Sequence, residues 1–115
     1  MHYRCSLEMC KSKKEDGSLT TQDIVDSVPG KFAIICSYAG IPMNEQILKA
    51  AGPSLKVVST FSVGYDHIDL TSMKKYGVRL GNTPDVVTES VAEIAVGLVI
   101  ATTRRFFEAN RELKT

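Results

Sequence analysis

The stretch Ser59–Asp69 reads STFSVGYDHID and holds the residues best suited to chemistry in this chain. A short apolar run leads into it, and Gly64 sits at its middle. Successive main-chain amides at Val63 and Gly64, with Tyr65 next to them, can form a concave site for a carboxylate or phosphate. Glycine suits such a place because it adopts backbone conformations closed to other residues and lets a ligand approach closely. The same glycine can equally be a plain strand-to-helix turn, and spacing alone leaves both readings open. A second loop, Ser37-Tyr38-Ala39-Gly40, follows another apolar run. It is either an ordinary connection or a second wall of the same cleft.

Other reactive side chains have simpler readings. His67 is flanked by Asp66 and Asp69. Those aspartates fit turn and helix-cap positions better than a catalytic array. Glu89 and Glu93 fall on one helix face, where Glu89 favours a helix N-terminus electrostatically. Arg104-Arg105 suits a solvated helix end. Cys5, Cys10 and Cys36 form an odd set without CxxC spacing, and His2 and His67 lie far apart. Neither a disulfide framework nor a metal site is expected, and reduced thiols point to the cytoplasm. GxGxxG, GxxxxGK[ST] and GxSxG are all absent from the sequence.

These loops need elements to hold them. Tyr3–Met9 reads as a weak strand and Lys11–Ser18 as a loop. Thr20 and Asp23 have capping-box spacing for a helix over 21–28, stopped by Pro29-Gly30. Lys31–Cys36 and Lys56–Thr60 read as buried strands, with a third at Val78–Leu80. Asn44 caps a helix ending at Gly52-Pro53, and Asp69 caps one ending at Tyr76-Gly77. NTPD at 82–85 is a turn, and Thr88 helps start a long helix with Val91, Ile94, Ala95, Leu98 and Ala101 at helical spacing. Strands alternating with helices imply an α/β fold with a parallel, doubly wound sheet.

Composition limits the possibilities further. The chain has 115 residues, 43% apolar and 23% charged, as in a soluble globular domain or a piece of a larger one. Fourteen basic residues against 13 acidic ones give a net charge of +1. That balance excludes a polybasic nucleic-acid module and an acidic tail. The longest apolar run, Ile94–Ala101, is well short of the roughly 20 residues of a membrane span, so no membrane partner is expected. The start carries no secretory pattern.

LKVVSTFSVGYDHIDL, followed by KKYGVRLGNTPDVVTESVAE, resembles the substrate domain of the D-isomer-specific 2-hydroxyacid dehydrogenases. The similarity extends back through KFAIICSYAGIPMNEQILKAAG. The resemblance implies a flavodoxin-like substrate domain, incomplete at both ends, over residues 1–101. Residues 102–115 would then continue toward an NAD(P)-binding Rossmann domain. It also implies an NADPH- or NADH-dependent reduction of small 2-keto acids, such as glyoxylate and hydroxypyruvate, to D-2-hydroxy acids. By the family pattern, Val63 and Gly64 hold the substrate carboxylate, and Ala39 lines the substrate pocket. Val63 lies near the nicotinamide and Thr88 is a further cofactor contact. The long helix matches the family's dimer-forming helix, so a homodimer is expected. The family's Arg, Glu and His, and its glycine-rich loop, match no residue here, so no catalytic residue is assigned and the chain alone is expected to be inactive. The alternative is a truncated form that at most binds a partner through 87–101.

Overall fold

The computed structural model describes residues 5–37 and 40–114. They fall into two compact units, one running to Thr83 and the other starting at Pro84.

The first unit is a parallel sheet with helices between its strands. The elements are α1 (Thr21–Ser27), β1 (Ala33–Cys36), α2 (Glu45–Ala51), β2 (Val57–Thr60), α3 (Leu70–Tyr76) and β3 (Arg79–Gly81). The strands lie in chain order, β1-β2-β3, all parallel. Strands that add in one direction through right-handed crossovers leave their helices on one face. The core follows that rule. Ile47, Leu48 and Ala51 of α2 and Met73 of α3 bury against Val58, with Ile34, Cys36 and Leu80 packed beside them. Within this unit α2 and α3 therefore pack on one face of the sheet.

Local chemistry explains the boundaries. Thr20 and Asp23 form the reciprocal capping box of α1. Asn44 and Asp69 cap α2 and α3 by accepting from the amides of Ile47 and Ser72. Gly77 ends α3 in the left-handed region, at φ 67°, where a side chain is strained. β2 is central and largely buried, as its composition suggested. β1 is not a buried strand, because it lies at the sheet edge with one face uncovered; Ile35 is 68% exposed. Residues 5–9 form no strand, so the expected strand over Tyr3–Met9 is corrected there. Tyr3 itself lies outside the described residues.

The second unit holds α4 (Thr88–Thr103) and α5 (Phe106–Glu112). Arg105 separates them in the left-handed region, at φ 54°. Thr88 is the first residue of α4, whose N-cap is Val87 with no side-chain hydrogen bond. Val91, Ile94, Val96, Leu98, Val99 and Ile100 of α4 are all exposed. No described helix is long and apolar enough to cross a membrane.

Candidate functional site

The bend after β2 lies at the carboxyl edge of the sheet, where open α/β sheets bind ligands. Three loops meet there. The bend itself spans 61–69. The loop before α2 is tied to it by the bridge of Met43 with Ile68, in which Met43 N donates to His67 O at 2.8 Å and Asp69 N donates to Met43 O at 2.9 Å. The segment after β3 supplies Asn82 and Thr83.

Three successive carbonyls of the bend are taken up, two by the segment after β3 and one by the bend's own Ser62. Thr83 N donates to Ser62 O at 3.1 Å. Asn82 Nδ2 donates to Val63 O at 2.9 Å. Ser62 Oγ donates to Gly64 O at 2.7 Å. Among the described residues no hydrogen bond engages the amides of Val63, Gly64 or Tyr65. The bend is thus held by its acceptors and leaves its donors available, which is the polarity an anion site needs.

Behind it lies a polar chain. Thr60 is 1% exposed. Its Oγ1 lies 2.7 Å from Ser62 Oγ and 3.3 Å from His67 Nε2. Burial pushes the Cys36 thiol up, against the opposing effect of a hydrogen bond with Thr60. The Ser72 hydroxyl and amide hold the Asp69 carboxyl below its ordinary value. Asp69 is therefore a cap, as its position suggested.

Gly64 corrects one part of the sequence argument. Its φ is not in the left-handed region, so the bend does not need glycine for backbone freedom. A Cβ there would lie 3.4 Å from Asp66 Oδ2, an ordinary contact. The other reason the sequence offers for a glycine, close approach of a ligand to the amides, is left standing. Asp66 also sets a negative charge beside them.

A cleft of about 230 Å³ is lined by Gly40, Pro42, Asp66 and His67. It joins the end of the β1–α2 loop to the bend, although Val63 and Gly64 do not line it. Ala39 lies outside the described residues. Val63 and Gly64 belong to the first unit and Thr88 to the second. The roles of Asn82, Thr60 and Ser62 were not visible in the sequence. Ser62-x-Gly64 was the one local signal available, since a serine commonly bonds the backbone two residues on. No group of three or more His, Cys, Asp or Glu residues suited to a metal ion occurs among the described residues.

The first unit is a parallel α/β sheet whose carboxyl edge carries a bend with three unengaged amides, and comparison with known proteins identifies the family of the chain. Residues 3–112 match the catalytic domain of the D-isomer specific 2-hydroxyacid dehydrogenases, and the chain belongs to that family. It is 41% identical over 110 residues to the human glyoxylate reductase/hydroxypyruvate reductase, covering 96% of this chain and 32% of that protein. It therefore spans about a third of that relative's length. The fold matches a 2-hydroxyacid dehydrogenase from Ketogulonicigenium vulgare Y25 with a TM-score of 0.70 at 28% identity, over 83% of this chain and 30% of that one. It also matches the cofactor (NAD+)-bound 3-phosphoglycerate dehydrogenase of Entamoeba histolytica, with a TM-score of 0.64 at 25% identity, over 77% and 28%.

Proposed function

We propose that the bend at Val63 and Gly64 holds the carboxylate of a small 2-keto acid in an NAD(P)H-dependent reductase that makes D-2-hydroxy acids. Glyoxylate and hydroxypyruvate are the substrates that best fit the relatives' names. The observation that carries this reading is the set of unengaged amides on a bend whose carbonyls are already bonded. Two or three amide donors suit a carboxylate, and the shallow bend suits a substrate with little beyond its acid and keto groups.

Fixing the acid group fixes the adjacent keto carbon, which is the contribution this segment makes to rate. A reduced nicotinamide supplies the hydride when it is bound. A dinucleotide's phosphates need a glycine-rich turn opening a helix, and the described residues offer none. From the family pattern alone, Val63 and Thr88 are each assigned a contact with the nicotinamide cofactor. Ala39, which lies outside the described residues, is assigned to the substrate pocket from the family resemblance alone. No proton donor is assigned to this chain, because His67 Nε2 is engaged with Thr60. In the whole enzyme, 1–101 serve the substrate domain and 102–115 lead toward the cofactor domain. The exposed apolar surface of α4 is the proposed contact with a second copy. The three cysteines are free, and a cytoplasmic enzyme is inferred.

Titration of the chain with oxalate, followed by amide NMR, tests the reading. The Val63 and Gly64 amide signals are expected to move saturably and together. Saturable movement confined to other residues overturns the assignment.

A further inference from the structure

A peptide unit is planar and trans, so the carbonyl of one residue and the amide of the next point in opposite directions. Each bonded carbonyl of the bend therefore aims one amide. Thr83 N, holding Ser62 O, aims the Val63 amide. Asn82 Nδ2, holding Val63 O, aims the Gly64 amide. Ser62 Oγ, holding Gly64 O, aims the Tyr65 amide. All three amides are unengaged among the described residues.

The third anchor has a direction. A carbonyl only accepts, so the one hydroxyl hydrogen of Ser62 is committed to Gly64 O. Ser62 Oγ then accepts from Thr60. Thr60 has spent its own hydrogen and accepts from the Nε2–H of His67. With Ser62 donating to Gly64 O, the donor order His67, Thr60, Ser62, Gly64 follows for these three contacts.

We propose that Asn82 and Ser62 are positioning residues of this site, each aiming one amide at the acid, and that Tyr65 supplies a third amide to the grip. The proposal rests on the reading of the bend as a carboxylate site. Neither side chain needs to touch the ligand, because each acts through one peptide plane. Asn82 lies 19 positions from the carbonyl it holds, so the third strand directly controls the orientation of a bend that follows the second.

The experiment uses the full chain with oxalate as probe. Asn82→Ala and Ser62→Ala are compared with wild type by amide order parameters and by oxalate affinity. Asn82→Ala is expected to loosen the Gly64 amide most, and Ser62→Ala the Tyr65 amide most. Order parameters should fall from near about 0.85 toward about 0.6. Each variant should bind oxalate about 3- to 10-fold more weakly, the scale of one net hydrogen bond. Ser62→Thr keeps the hydroxyl and is expected to restore both readouts, which separates positioning from general destabilisation. Variants that keep wild-type order and affinity overturn the proposal, as does a uniform loosening that Ser62→Thr does not rescue. Wild type that fails to bind oxalate while its bend stays ordered instead overturns the carboxylate reading.

Discussion

Replacing Thr60 with Val is the sharpest test of the polar chain beneath the bend. Valine keeps the branched shape of threonine and exchanges the hydroxyl for a methyl. Two strong contacts are lost, one to Ser62 Oγ at 2.7 Å and one to His67 Nε2 at 3.3 Å, along with the weaker thiol contact of Cys36. At about 0.5–1.5 kcal/mol net for each hydrogen bond, the cost is about 1–3 kcal/mol. For a folding unit of 60–100 residues, each kcal/mol moves Tm by about 4–8 °C. The midpoint should therefore fall by about 4–24 °C. Thr60→Ser gives the control, because it keeps the hydroxyl and loses one methyl, about 0.8 kcal/mol of transfer energy. Thermal unfolding by circular dichroism should rank wild type above Thr60→Ser and Thr60→Ser above Thr60→Val. In the double variant Thr60→Val/Ser62→Ala the losses should fall short of additive by at least about 0.5 kcal/mol. Imidazole NMR should find the hydrogen of His67 on Nε2 in wild type. Thr60→Val as stable as Thr60→Ser, together with an additive cycle, would refute the reasoning.

The remaining predictions concern the core, the charge beside the amides, and acid. Ile47 is fully buried in α2, so Ile47→Ala should cost about 2–5 kcal/mol and Ile47→Val about 0.5–1.5 kcal/mol in chemical denaturation. Equal midpoints for the two variants would contradict the packing described. Asp66→Asn removes a negative charge near the acid. In water a unit-charge pair several ångströms apart interacts by somewhat under about 1 kcal/mol, and oxalate carries two charges at neutral pH, so it should bind about 3- to 10-fold more tightly in low salt and less so in high salt. An unchanged affinity at low salt would place the ligand elsewhere. Asp23, Asp69 and Glu45 are all held below their ordinary values, by Thr20, Ser72 and Lys75 respectively. Carboxyls depressed in the folded state stabilise it above their unfolded values, near about 3.9 for Asp and 4.3 for Glu, and that stability is lost as pH falls through the folded ones. Asp69→Asn still caps α3 at neutral pH, so it should flatten the acid limb of stability against pH; an unaltered limb would show that Asp69 contributes nothing there.

Local rules made much of the frame legible. Thr20 with Asp23, Asn44, Asp69 and Gly77 each act within four residues, so their types and spacing gave the helix ends directly. The α/β parallel class also followed from alternation. Burial did not, because Ile34 and Ile35 have the same composition signal and differ only in which face the helices cover. The bend was recognisable from Gly64, although one of the two reasons for a glycine, backbone freedom, does not apply there. What holds the bend was hidden. Asn82 and Thr83 reach it from the end of the neighbouring strand, and no short-range pattern records a bond between residues so far apart in sequence. Thr60 read as part of a buried strand, which it is, and its hydroxyl partners emerge only once the chain has turned back on itself.

The three tethers on the bend have a thermodynamic consequence. Because the loop is already fastened before any acid arrives, capture costs little ordering entropy. Association should proceed without a slow rearrangement, and its heat-capacity change should reflect the small ligand surface alone, without a contribution from loop folding.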